Sequence, residues 1–240
     1  MKEQKHPGMS NVLFSTNCYW RDIGYLAEGG FVYKALLNDY RFGARWMIIN
    51  NVEDPLAAMR AFGPVADEVL VMDDVADKSL KHFGFPSGIF VDGNTNVDGW
   101  IYSIDSLIEL ARAKDFDYIC HYCGDVELYK KADWITEGIR KIEQEGYAGA
   151  RPRLPRYEMQ VPGEQELTET DIFSDHVYLI PVKPFHDYLA DIFSLTEPSC
   201  DDIHVEYGGE SFERKMTRYL KATNQKLAII QNAEECPSAI

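Results

Sequence analysis

The chain has 240 residues, enough for one α/β domain or one domain with a sizeable appendage, and its 45% hydrophobic and 12% aromatic content supports a buried core rather than disorder. Its 24 basic and 39 acidic side chains leave a formal net charge of −15. Such a surface repels a phosphate backbone and an anionic leaflet, which disfavours nucleic acid and membrane as partners, although one small basic pocket would still hold a diphosphate.

Taken in chain order, short apolar runs alternate with helical periodicity. Residues Met1 to Ser10 are charged and lack the apolar stretch of a secretory signal. The five cysteines (Cys18, Cys120, Cys123, Cys200, Cys236) are odd in number, so reduced thiols in a cytoplasmic location are expected. No apolar run approaches the ~18 residues of a membrane span, so no integral membrane segment is expected. Asn11–Ser15 reads as the first strand, and Phe31 to Tyr40 as a helix with Phe31, Ala35 and Leu36 on one side. Trp46–Asn50 is the next strand. Asp54 then caps a helix whose first position is Pro55. Glu68–Met72 is a third strand. Ile104, Leu107, Ile108 and Ala111 recur at helical spacing behind Ser103, and Tyr118–Tyr122 is a fourth strand. Trp134, Ile135, Ile139 and Ile142 form a stripe closed by Gly146. This alternation predicts an α/β fold with a mostly parallel sheet flanked by helices.

The pattern then breaks. Residues 147–175, with Gly149, Pro152, Pro155 and Gly163 and the arginines Arg151, Arg153 and Arg156, read as a long loop. The guanidinium forks suit phosphate oxygens, but a solvated charge run is the stronger reading. Val177–Pro181 is a strand, Ser211–Ala222 a helix, and Leu227–Gln231 a last strand before a frayed tail.

The most informative stretch is Asp117-Tyr-Ile-Cys-His-Tyr-Cys-Gly-Asp-Val-Glu-Leu128, where a buried strand runs into Gly124 and presents Asp125 and Glu127 beyond its carboxyl end. Ligands of open α/β sheets bind there, and two carboxylates suit Mg²⁺ or Mn²⁺ on a diphosphate. The competing reading makes Asp125 the cap of a following helix. Glu210 and Glu213, behind the Gly208-Gly209 turn, are placed to accept a proton from a hydroxyl, or merely to complement the helix dipole. His176 precedes a strand and is either structural or a metal ligand. Cys120-x-x-Cys123 has zinc spacing but no second pair, and zinc is discounted. Tyr19-Trp20 could stack on a base. No G-x-G-x-x-G follows the first strand, no P-loop is present, and no G-x-S-x-G elbow appears.

The whole arrangement resembles glycosyltransferases of the GT-A fold, especially family-two-like members. Cys123-Gly124-Asp125 lies where those enzymes carry Asp-x-Asp, with the second acid kept as Asp125 and the first replaced by Cys123. Trp46-Met-Ile-Ile-Asn-Asn-Val-Glu-Asp54 and Ala66-Asp-Glu-Val-Leu-Val-Met-Asp-Asp74 resemble the family's second and third strands. Tyr207-Gly-Gly-Glu-Ser-Phe-Glu213 resembles its acceptor-side acidic motif. The resemblance implies one domain over 1–240, with residues 11–145 as the nucleotide-sugar half and 146–230 as the acceptor half. It implies donor contacts at Ser15, Thr16, Asn17, Asn51, Asp73, Asp74 and Asp125, a Mn²⁺ or Mg²⁺ site at Asp125, Glu127 and His176, and a base at Glu210 or Glu213. The implied reaction moves a sugar from a nucleoside-diphosphate sugar to a hydroxyl acceptor: a glycan, a lipid-linked sugar or a protein. The alternatives are a non-catalytic sugar-nucleotide-binding relative with a degenerate metal motif, and a sugar nucleotidyltransferase.

Overall fold

The computed structural model describes residues 10–50, 52–82, 105, 106, 108–153, 167–187 and 212–237. Nine strands among them form one sheet: β1 (Val12–Cys18), β2 (Ala44–Ile49), β3 (Glu68–Val71), β4 (Tyr118–Tyr122), β5 (Val126–Leu128), β6 (Gly149–Arg153), β7 (Glu169–Thr170), β8 (Val177–Pro181) and β9 (Leu227–Pro237). Their order is β3-β2-β1-β4-β8-β6-β9-β5, with β7 also pairing to β9. Strands β1 to β4, β6 and β9 run one way, and β5, β7 and β8 run the other. Every residue of β1 is buried, as befits an inner parallel strand covered on both faces.

The helices are α1 (Ile23–Tyr25), joined through a π turn at Leu26–Gly30 to α2 (Phe31–Leu37), then α3 (Pro55–Phe62), α4 (Met72–His82), α5 (Trp134–Glu145) and α6 (Phe212–Thr223). Residues 108–112 and 182–187 are also helical. Local chemistry sets their ends. Asp54 accepts a hydrogen bond from the Ala57 amide at 2.9 Å and Pro55 opens α3, as read from the sequence. Gly146 stops α5 in the left-handed region at φ 79°, where a side chain would be strained. Alternation along β1 divides the core. Val12, Phe14 and Cys18 pack on one face with Phe31, Phe62 and Trp134. On the other face Leu13 joins Ile108, Leu110, Phe185 and Met216.

Four expectations need correction. Part of the supposed loop at 147–175 is strand: β6 lies inside the sheet between β8 and β9, and β7 pairs β9. Pro152 concealed β6, because a residue without an N–H is unusual in an inner strand; the register shifts between Pro152 and Arg153. Asp125 caps no helix, since Val126–Leu128 form β5 against the end of β9. Strand β9 runs on to Pro237 rather than fraying after Gln231. Finally, Leu36 is 64% exposed, while Lys34 takes a buried place beside Ala35 and Leu37 on α2.

Candidate active site

The chain leaves β1 for β2 and β3 on one side and returns to β4 on the other, so the topological switch point lies between β1 and β4. The crevice beyond their carboxyl ends is where such sheets bind ligands. Asn17 stands there on β1. Its side-chain oxygen accepts the Gly124 amide at 2.7 Å, tying the end of β1 to the turn that carries Asp125. A Cβ on Gly124 would sit 2.5 Å from Asp22 Oδ2 and 2.7 Å from the Asn17 carbonyl, so the close approach of these two segments requires glycine.

Beneath the crevice a polar layer crosses the sheet. Ser15, His121 and Tyr178 are register partners across β1, β4 and β8. All three engage the buried Glu109: Ser15 donates to its Oε1 at 2.6 Å, His121 Nδ1 lies 2.6 Å from the same oxygen, and Tyr178 donates to Oε2 at 3.1 Å. Burial pulls the His121 pKa down, but Glu109, with Asp105 and Asp175, holds it above the ordinary value. Asp105 completes the layer. Its Oδ2 accepts from the amides of Asn17 at 2.9 Å and Asn50 at 3.1 Å, while its Oδ1 and Asn50 Oδ1 have no hydrogen-bond partner among the described residues. Burial pushes the Asp105 carboxyl up to about 8.

Acids gather around the turn itself. Asp22 is buried, and its pKa is raised by burial, with Asp125 adding to the rise. Asp175 is likewise raised by burial, and again Asp125 contributes. Residues 175 and 176 lie against the end of β4, where the Cys123 amide donates to the His176 carbonyl at 2.7 Å and Cys123 Sγ contacts the Asp175 carbonyl at 3.3 Å. Thr217 of α6 accepts the Phe173 amide at 3.0 Å. Glu213, one turn earlier on the same helix face, is thereby brought beside Asp175 and His176. Burial, with Asp175 adding, pushes its carboxyl up to about 7. The cation beneath these acids is Lys34. It is buried and donates to the Val126 carbonyl; burial lowers its pKa to about 8 against the opposing pull of Glu127, Asp125, Cys123 and Asp22.

The residues expected from the sequence are thus placed unevenly. Asn17, Asp125, His176 and Glu213 come together at the crevice. Ser15 and Thr16 lie below it and spend their hydroxyls internally, Thr16 on the Tyr122 carbonyl at 2.7 Å. Glu127 sits on β5 and takes a hydrogen bond from the Tyr25 hydroxyl. Asp73 and Asp74 fall in the first turn of α4, on the same edge but with β2 between them and β1; Asp74 is exposed. Asn51, Glu210 and Arg156 lie outside the described residues. Arg151 is a buried strand residue, not part of a solvated run. Trp20 is half exposed beside the crevice, with the Arg21 guanidinium 4.8 Å from its ring centre. Among the described residues, no three His, Cys, Asp or Glu side chains gather as a metal-ligand set, and no helix is long and apolar enough to cross a membrane.

Sequence reasoning missed Asp22, Lys34, Asp105, Glu109 and Asp175. One signal was available for the middle pair: Asp105 and Glu109 stand four apart in an otherwise apolar helical segment, a like-charge spacing that needs a reason.

No family model matches the chain, and no curated protein matches it in sequence. Among solved structures, the apo form of mouse xyloside xylosyltransferase 1 aligns with a TM-score of 0.50 at 12% identity, over 92% of this chain and 84% of that one. A Desulfovibrio desulfuricans G20 protein described as a nucleotide-diphospho-sugar transferase gives 0.48 at 9% identity, over 96% and 84%. CMP:2-keto-3-deoxy-manno-octonic acid synthetase gives 0.48 at 10%, over 92% and 90%. The likeness to the xylosyltransferase shows the fold, and the fold is GT-A-like, as the sequence led one to expect.

Proposed function

We propose that the chain is a glycosyltransferase that moves a sugar from a nucleoside-diphosphate sugar to a hydroxyl acceptor. One observation carries the reading: Asp125, Asp175 and Glu213 are brought from three separate elements to the switch point of a GT-A-like sheet. In this reading the Asn17, Asn50 and Asp105 cluster holds the nucleoside at the ends of β1 and β2. The donor set at the turn is hard carboxylate oxygen, which fits Mn²⁺ or Mg²⁺; such ions take one or two carboxylates and fill their shell with phosphate oxygens and water. Asp125, exposed at the turn, would hold the ion; Glu127, engaged by the Tyr25 hydroxyl, and His176 are not gathered with it as one ligand set, so phosphate oxygens and water would fill the shell. When bound, the ion neutralises the diphosphate leaving group. Glu213 takes the acceptor hydroxyl's proton as that oxygen bonds to the anomeric carbon and the bond to the diphosphate breaks, the course of an inverting transfer.

Asp125→Asn tests the metal end of the proposal. Nucleoside-diphosphate affinity should lose its Mn²⁺ enhancement while the melting temperature stays that of the wild type. Titrations with and without Mn²⁺ measure this, and unchanged metal dependence would remove Asp125 from the site.

One observation favours a second reading, a sugar-nucleotide binder that no longer transfers. Cys123 stands where the first acid is expected, and it is buried with its thiol pKa driven well above the ordinary value by that burial. A protein that binds donor yet neither transfers nor hydrolyses its sugar would establish the binder instead.

A further inference from the structure

The opposite edge of the sheet holds a second group of metal-ligating side chains, unconnected with the crevice. Strand β8 runs against β4, so its end at Pro181 pairs with Tyr118, the start of β4, and the helical residues 182–187 that follow lie at the amino ends of the parallel strands. Helix α4 starts at the carboxyl end of β3 and, at 11 residues, is about 16 Å long, which carries its last residue, His82, to the same far edge. There His82 Nε2 lies 3.0 Å from Nε2 of His186, although the two residues are 104 apart in sequence. Their ring centroids are 5.3 Å apart.

We propose that His82 and His186 form a site for a divalent transition-metal ion of the imidazole-seeking kind, Cu²⁺, Ni²⁺ or Zn²⁺. Metal–imidazole bonds are about 2.0–2.1 Å. Two nitrogens 3.0 Å apart therefore subtend roughly 91–97° at a shared ion, the angle between neighbouring positions of a tetragonal or octahedral shell. A tetrahedral ion needs them to part by only about 0.3–0.4 Å. Behind His186, its Nδ1 lies 3.7 Å from Asp187 Oδ1. A carboxylate on that side of the ring favours the tautomer with its proton on Nδ1, which leaves the Nε2 lone pair toward His82. His82 Nε2 is then the donor in the 3.0 Å contact, and ion entry moves its proton to its own Nδ1 through solvent. That ring is exposed, so the transfer is open to water. Water completes the shell, and the net charge of −15 draws cations to the surface. The bound ion ties the end of α4 to the segment that follows β8.

The test uses the full chain stripped with chelator and titrated calorimetrically with Ni²⁺, then with Cu²⁺ and Zn²⁺. One saturable site is expected in the wild type, with a rise in melting temperature. His82→Ala and His186→Ala should each weaken it, the double variant should abolish it, and Asp187→Asn should weaken it on the order of 10–100-fold. Should an alanine variant fail to fold, His82→Gln and His186→Gln give the same readout. Absence of saturable binding in the wild type overturns the proposal. So does a site that survives in the double variant, or one that responds to a single histidine only.

Discussion

Replacing Asp105 by Asn should make the protein more stable at neutral pH. The side chain is 1% exposed, and its pKa is raised by burial to about 8. The unfolded chain releases this proton near pH 4, whereas the folded chain keeps it until about pH 8. Stability is therefore lost progressively as pH rises from about 4 to about 8, because the unfolded state alone gains by ionising. At pH 7 the cost reaches roughly 4 kcal/mol as an upper limit. Asparagine keeps the shape, still accepts from Asn17 and Asn50, and has no proton to lose. Melting curves should show no gain for Asp105→Asn near pH 4 and a gain of several degrees at pH 7 to 8. An unchanged melting temperature at pH 8 would mean that Asp105 is not held neutral.

Glu213→Gln should lower turnover by about 10²–10⁴ while leaving donor binding near wild type and the melting temperature no lower. The carboxyl is partly buried and its pKa is raised to about 7 by burial and by Asp175. A base must be ionised to act, so wild-type turnover should climb as pH rises through about 7, and that limb should vanish in the glutamine variant. Rates against pH for both proteins measure this. Near-normal turnover in Glu213→Gln would leave Glu213 as a helix-end residue and move the base elsewhere.

The fold was legible wherever local chemistry and tertiary packing agree. Asp54-Pro55 and Gly146 act on the backbone beside them, and Tyr118–Tyr122 and Val177–Pro181 are largely apolar runs that could only be buried. The missed strands are those whose partner is distant and whose sequence argues against them: Pro152 in β6, and three residues of β5 that owe their form to β9. The site was half legible for a similar reason. Asp125 and Glu213 announce themselves by neighbouring glycines and helix starts. Lys34 declares nothing locally, and Asp105 and Glu109 only their like-charge spacing; all three become notable when the sheet buries them against Asn17, His121 and the Gly124 turn.

The pairing of β5 with the far end of β9 also bears on how the molecule is made. Leu128 meets Glu235 and Val126 meets Pro237, contacts that close a loop of more than a hundred residues. Closing so long a loop is entropically late, and during synthesis it cannot begin until the last strand has left the ribosome. Strands β1 to β4 precede β9 in the chain and pair among themselves without it. The segment just beyond Asp125 is therefore locked only at the end, so a nascent chain carries a nearly finished sheet with its acidic turn still loose. The turn that carries Asp125 is thus closed by a strand that begins about a hundred residues further along the chain.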